Sequence, residues 1–159
     1  MTRRKIYPSN QLATILQDAR ENGAIVVTTN GCFDVLHLGH LRYLQAAREL
    51  GDLLVVAVNS DVSVRALKGT TRPFVPEAER AELLAGMECV DYVTLFSEED
   101  SIVLLSQLKP DIHVKGGDYK IDEIIERVAV ESNGGQVIVG LNVPGKSTTN
   151  LIQKIRGRC

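Results

Sequence analysis

Aliphatic and β-branched runs of strand length alternate along this chain with segments whose apolar residues recur every three or four positions. The spacing predicts a helix over Ser9–Arg20, capped by Ser9, with Leu12, Ile15, Leu16 and Ala19 on one face. Ala24–Thr29 is the first predicted strand, broken by Gly31. A helix over Leu38–Leu50 turns Leu41, Leu44 and Ala47 inward and ends at Gly51, and Leu53–Val58 is a second buried strand. Pro76–Met87 places a proline in a first turn with acids behind it, which is a helix start. Tyr92–Leu95 reads as a short strand, Asp100–Leu108 as a helix closed by Pro110, and Ile112–Val114 as a strand before Gly116 and Gly117. Helical spacing over Asp122–Glu131, a strand over Gln136–Val139 and a helix over Ser147–Ile155 complete the pattern.

Strands made almost wholly of Val, Ile and Leu are buried on both faces, so helices must cover each side of a parallel sheet. Right-handed crossovers between such strands build a doubly wound, Rossmann-like α/β fold. One domain over residues 1–159 is expected, with residues 1–23 as an N-terminal helical extension. Ligands of such sheets lie beyond the carboxyl ends of the strands, where the strand order reverses. Chemistry is therefore expected just after Thr29, Val58, Val114 and Val139.

Composition narrows the classes of function. Of 159 residues, 44% are hydrophobic and 24% charged, which suits a packed core and excludes disorder. The net charge of -2 and an aromatic content of 4%, with no basic stripe, argue against nucleic acid as a partner. Three cysteines (Cys32, Cys89 and Cys159) are widely separated and odd in number, so a disulfide framework is not expected and a reducing compartment is. Ser9–Arg20 is too polar for a signal-peptide core, and no apolar run approaches the ~20 residues of a membrane span. A cytoplasmic domain with no membrane partner is the expectation.

The first strand runs into Thr29-Asn30-Gly31-Cys32-Phe33-Asp34, and His37 and His40 follow three residues apart at a helix start. Their rings share a face there, beside backbone N–H groups that attract anions. Gly31 permits a sharp turn and Gly39 a close approach. Two imidazoles in that place form a phosphate clamp that donates hydrogen bonds with little fixed charge. The rivals are a pair of packed histidines, or zinc held by Cys32, Asp34, His37 and His40. Lys68, Arg72 and Arg80 lie between the second and third strands, as solvated loop charges or as cations reaching two phosphates. Asn59 and Asp61 follow the second strand, where Asp61 would cap a helix or both would meet sugar hydroxyls. Lys115, Gly116, Gly117 and Asp118 close the fourth strand as a plain turn or as a ribose and phosphate site, while His113 reads as structural. Residues 140–147 fit the P-loop pattern G-x-x-x-x-G-K-[ST], yet a P-loop normally follows a first strand and here one helix remains. Ser147, Thr148 and Thr149 are instead expected to cap that helix, with hydroxyls and N–H groups facing a ligand.

Gly31-Cys32-Phe33-Asp34-Val35-Leu36-His37-Leu38-Gly39-His40 resembles the signature of the HxGH nucleotidyltransferases. That superfamily includes cytidylyltransferases, phosphopantetheine adenylyltransferase and, more distantly, class I aminoacyl-tRNA synthetases. Residues 57–61, 67–69 with Arg72 and Pro73, 114–119 and 147–149 extend the likeness, from about Ile25 onward, to the heptose 1-phosphate adenylyltransferases. These occur alone or as the second domain of a bifunctional heptose kinase/adenylyltransferase, and the stand-alone form is expected. The resemblance implies a nucleotidyltransferase-type fold. It also implies transfer of AMP from ATP, with Mg²⁺, to D-glycero-β-D-manno-heptose 1-phosphate, giving ADP-heptose for lipopolysaccharide precursors. By the same resemblance, His37, His40 and Lys68 are catalytic, and Asn30, Gly31, Cys32, Phe33, Asp34, Gly39, Lys115, Gly117, Asp118, Ser147, Thr148 and Thr149 hold ATP. Asn59, Asp61, Arg72 and Arg80 would hold the sugar phosphate, and no metal is expected on the protein itself. Related cytidylyltransferases have Arg where Asn142 aligns, so that base contact is not inherited. Superfamily members often pair, which implies a homodimer or higher homo-oligomer. A cytidylyltransferase acting on glycerol 3-phosphate and a nucleotide sensor without turnover are the alternatives.

Overall fold

Five strands form one parallel sheet in the order β3-β2-β1-β4-β5. They are β1 (Val26–Gly31), β2 (Leu53–Asn59), β3 (Tyr92–Phe96), β4 (Ile112–Lys115) and β5 (Gln136–Val139). The computed structural model describes residues 2–117, 119–139 and 148–157. The expectations placed on Asp118, Asn142, Ser147, Cys159 and the pattern at 140–147 lie outside the described residues. In register, Val27 faces Leu54 on one side and Ile112 on the other, and Gly31 faces Val58. The carboxyl ends of β1, β2 and β4 therefore finish along one rim. The chain leaves β1 toward β2 and returns later to the opposite side with β4, so the order reverses at β1.

Alternate residues of each strand face opposite sides, and both sides are covered. Val27, Val56 and Val58 pack under Leu44 and Ala47 of α2 (Leu38–Arg48) and Leu84 of α4 (Glu77–Ala85). Val26, Val55 and Ala57 pack under Leu12 and Leu16 of α1 (Ser9–Glu21) and Leu104 and Leu108 of α5 (Ile102–Leu108). Each such fully buried aliphatic side chain contributes about 1.5–3 kcal/mol. This two-sided burial is why the strands carry no polar alternation. The doubly wound α/β fold expected from the sequence is the fold observed.

Several boundaries differ for local reasons. Ser9 does not cap α1; Pro8 does, and Pro76 likewise precedes α4 as its N-cap instead of opening its first turn. Proline has no N–H to satisfy, so it is suited to a position ahead of the hydrogen-bonded turns. Asp122–Glu131 is not one helix. A 3-10 turn at Ile121–Glu123 and α6 (Arg127–Glu131) are separated by Ile124, whose ψ of 106° swings its side chain into the core. The stretch after β2, where no helix bounds were expected beyond a candidate cap at Asp61, forms α3 (Asp61–Lys68), with the Ser60 side chain capping the Ser63 N–H.

The N-terminal residues are part of the sheet's packing. Ile6 bridges Val93 in parallel, the Tyr7 N–H donates to the Val93 carbonyl at 3.0 Å, and Lys5 Nζ donates to the Val90 carbonyl at 2.6 Å. Among the described residues no helix is long and apolar enough to cross a membrane.

Candidate active site

At the rim where β1 and β4 diverge lies a cavity of about 590 Å³, within the range of small-molecule sites. Its wall begins at the end of β1. A Cβ on Gly31 would sit 3.1 Å from the Phe33 ring. Phe33 takes a φ of 48°, a left-handed conformation uncommon for a bulky residue. That turn sets its ring edge-on to His40, with centroids 5.4 Å apart.

His37 is the N-cap of α2, and its Nδ1 accepts the Gly39 N–H at 3.1 Å. His40 Nδ1 accepts the His37 N–H at 3.4 Å. The two rings stack with centroids 4.0 Å apart. Because each Nδ1 accepts from the backbone, the ring proton resides on Nε2 in both residues. Burial, reinforced by His37, holds the His40 pKa down at about 4. At neutral pH His40 is thus an uncharged donor. His37 Nε2 lies 3.4 Å from Thr148 Oγ1, which brings the start of α7 (Thr148–Arg156) to the pair.

Across the cavity stand Lys68 and Arg72. The Lys68 side chain is exposed, and its ammonium makes no ion pair or hydrogen bond with any described residue. Arg72 pairs through Nε with Asp34 Oδ2 and lies 4.7 Å over the Phe74 ring. Asp34 is buried, and its Oδ1 also accepts the N–H groups of Phe74 at 2.7 Å and Val75 at 2.9 Å. The third wall is Lys115 at the end of β4. Its Nζ donates to Glu126 Oε1 at 2.5 Å and Asn30 Oδ1 at 3.3 Å, and Ser101 Oγ donates to the same Glu126 oxygen at 3.2 Å. Burial alone would raise the Glu126 pKa, but the Lys115 bond and charge together outweigh it and hold the carboxyl below its usual range.

The structure thus brings Asn30, Gly31, Cys32, Phe33, Asp34, His37, Gly39, His40, Asn59, Lys68, Arg72, Lys115, Gly117 and Thr148 to one cavity wall. It does not bring Arg80, Asp61 or Thr149 there. Arg80, expected as a substrate cation, is wholly buried. Its guanidinium donates to the carbonyls of Val75 (2.8 Å), Cys32 (2.5 Å) and Asn59 (2.8 Å), and to Asp61 Oδ1 at 2.7 Å. Arg80 is a bracket joining the ends of β1 and β2, and Asp61 is its counter-ion. Burial raises the Cys32 thiol above its ordinary pKa, so Cys32 stays a thiol at neutral pH. His113 is buried within the sheet, with Nδ1 2.9 Å from Thr28 Oγ1.

Two contributors were missed in the sequence. The Tyr43 hydroxyl lies 2.6 Å from Thr29 Oγ1 and donates to the Val114 carbonyl at 3.0 Å, tying α2 to both central strands. Burial pushes its pKa up to about 12. Its position three residues after His40 was the available signal, since the two share a helix face. Glu126 gave no signal at all, because nothing in the sequence separates an acid that turns inward from its neighbours Asp122, Glu123 and Glu131.

The donor set does not form a metal site. Asp34, the carboxylate in the cavity wall, is engaged by Arg72 and two backbone N–H groups, and both Nδ1 atoms accept backbone hydrogen bonds. Among the described residues no group of three or more His, Cys, Asp or Glu side chains is placed to hold a metal ion. Zinc on Cys32, Asp34, His37 and His40 is not supported, and among the described residues the wall offers no ready magnesium ligand.

The Cytidylyltransferase-like family model matches residues 28–154. The chain belongs to this family. The expected membership among the HxGH nucleotidyltransferases is borne out. Bifunctional protein HldE of Geotalea uraniireducens (strain Rf4) is 51% identical over 152 residues, which cover 96% of this chain and 31% of that protein. Bifunctional protein HldE of Geobacter sulfurreducens is 49% identical over 151 residues, covering 95% of this chain and 31% of that protein. The chain therefore spans about a third of the length of the curated relatives it matches. Among solved structures, the lipopolysaccharide core biosynthesis protein from Thermoplasma volcanium GSS1 superposes with a TM-score of 0.62 at 36% identity, over 74% of this chain and 94% of that one. Pantoate-beta-alanine ligase from Francisella tularensis shares the fold alone, with a TM-score of 0.60 and 16% identity over 85% of this chain and 66% of that one.

Proposed function

We propose that this chain transfers AMP from ATP to D-glycero-β-D-manno-heptose 1-phosphate, giving ADP-heptose and pyrophosphate for lipopolysaccharide precursors in the cytoplasm. The observation that carries the reading is the stacked His37–His40 pair, with both Nε2 donors at the sheet's switch point and Lys68 and Arg72 opposite. Identity near half with the HldE proteins and the likeness to a lipopolysaccharide core biosynthesis protein support the choice of acceptor.

The acceptor's phosphate oxygen is already an anion. It attacks the α-phosphorus of ATP; the new O–P bond forms as the bond from that phosphorus to the bridging oxygen breaks, and the electron pair leaves with pyrophosphate. No proton has to be removed, so the site needs positioning and charge relief, not a base. The Nε2–H groups of His37 and His40 donate to the α-phosphate and the bridging oxygen. Their Nδ1 hydrogen bonds fix the rings beforehand, so little reorganisation accompanies the reaction. Lys68 and Arg72 meet the β- and γ-phosphates, Thr148 and the start of α7 meet the nucleoside, and Asn59 meets the sugar. Magnesium, brought with ATP, would supply further neutralisation of phosphate charge. Homodimer formation, implied by the family likeness, is part of the same reading, and analytical ultracentrifugation tests it.

Pyrophosphate release from ATP and CTP, each offered with heptose 1-phosphate, glycerol 3-phosphate and phosphopantetheine, tests the proposal. ATP with heptose 1-phosphate is expected to be the fast pair. Fast release from CTP with glycerol 3-phosphate would overturn it.

A further inference from the structure

A second cavity, of about 320 Å³, opens beside the first at the 3-10 turn Ile121–Glu123. Asn30, Asn59 and Lys115 line both, so ligands in the two cavities would meet across these residues. Charge divides sharply between them. The larger cavity carries Lys68, Arg72 paired with Asp34, and the neutral donors His37 and His40; the smaller has Lys115 at the shared wall, with Glu99, Asp100 and Glu123 beyond it beside Ile124 and Ile125. Carboxylates there repel a polyphosphate and accept hydrogen bonds from hydroxyl groups.

Asn59 is an independent pointer to a ligand. It is 4% exposed, and its Nδ2 donates to Ser63 Oγ at 2.9 Å, yet its carboxamide oxygen accepts no hydrogen bond from any described residue. The oxygen is not sealed in: it borders both cavities and is open there to a donor from a ligand. Lys115 fits the same picture. Among the described residues Glu126 and Asn30 take two of its three ammonium protons, and the third can meet an anion at the junction.

We propose that the smaller cavity seats the phosphate acceptor, a monophosphate with a neutral polyol body, with its phosphate on Lys115 and its hydroxyls on Asn59, Glu99, Asp100 and Glu123. This rests on the nucleotidyl-transfer reading and assigns Lys115 to the acceptor, not to ATP. It also sets polarity: the phosphate must point toward His37 and His40, because the far wall is anionic. Glu126 is a positioning residue that acts by holding Lys115, with Ser101 steadying the carboxylate.

The test measures binding of heptose 1-phosphate by calorimetry beside α,β-methylene-ATP, together with KM for each substrate. Glu99→Gln and Glu123→Gln are expected to weaken heptose 1-phosphate about three- to tenfold and leave the ATP analogue unchanged. Lys115→Met should weaken it more than tenfold, with partial rescue in Lys115→Arg. Glu126→Gln should raise KM for the acceptor but not for ATP, a selectivity that a purely structural role would not give. Wild-type binding of heptose 1-phosphate in both glutamine variants overturns the proposal, as does loss of the ATP analogue alone in Lys115→Met. A wild-type protein that binds heptose 1-phosphate without turnover overturns the reaction assigned above, while selective loss in the variants still supports the acceptor cavity. A wild-type protein that binds no sugar phosphate overturns both.

Discussion

His40 is kept uncharged by burial, so the clamp proposed above would act differently from a cationic one. A fixed positive charge would grip bound ATP in the ground state nearly as firmly as at the moment of transfer. A directed N–H gains most when charge builds on the oxygens in front of it. His37→Ala and His40→Ala should therefore each lower kcat by about 10²–10³ while ATP affinity changes far less, measured by single-turnover pyrophosphate release. Near-normal turnover in both would sink the clamp. Arg80 gives the opposite expectation. Arg80→Met strands Asp61 and three carbonyls, so thermal unfolding should show a loss of about 3–5 kcal/mol, with ATP binding retained below the transition. Sequence separates these residues poorly. The histidines stood out through their spacing after a buried strand, whereas Arg72 and Arg80 differ only in which way they turn, and no local pattern records that.

Among elements, the central strands were legible because burial on two faces leaves a run of Val and Leu that few other environments demand. α3 was not, since Val62, Val64 and Leu67 alternate too briefly to define a helical face. The segment around Ile124 misled for another reason: its apolar spacing suits a helix, but filling the gap against Leu105 and Val137 required an extended residue in the middle. The seam between β1 and β4 was also invisible in advance. Tyr43 closes it from α2, and a Cβ on Gly116 would come within 3.1 Å of its ring. Tyr43→Phe keeps the ring and removes both hydrogen bonds, so its urea midpoint should fall by an amount worth about 1–3 kcal/mol. An unchanged midpoint would show that the seam holds without the hydroxyl.

For the molecule as a whole, the position of the cavity followed from topology, since an all-parallel sheet opens its main cleft at the rim where strand order turns back. The same burial that shapes the interior makes stability depend on pH. His113 and His40 both have pKa values held at about 4, chiefly by burial, against an ordinary value of 6.5. Between those limits the unfolded chain takes up protons that the native protein refuses. Stability is then full above about 6.5 and declines as the pH falls toward 4, with His113 alone accounting for roughly 3 kcal/mol. Urea titrations at several pH values should show this slope, and His113→Gln should flatten it; a midpoint constant with pH would refute the account.

Asp34 carries a consequence of its own. One carboxyl group anchors Arg72 and the 74–75 backbone on one flank, while its chain neighbour Phe33 steadies His40 on the other. The two jaws of the cleft thus share a single rivet. Asp34→Asn should loosen both together, visible as altered imidazole resonances of His40 alongside weaker grip on triphosphate, whereas an effect confined to either jaw would show that they move apart freely.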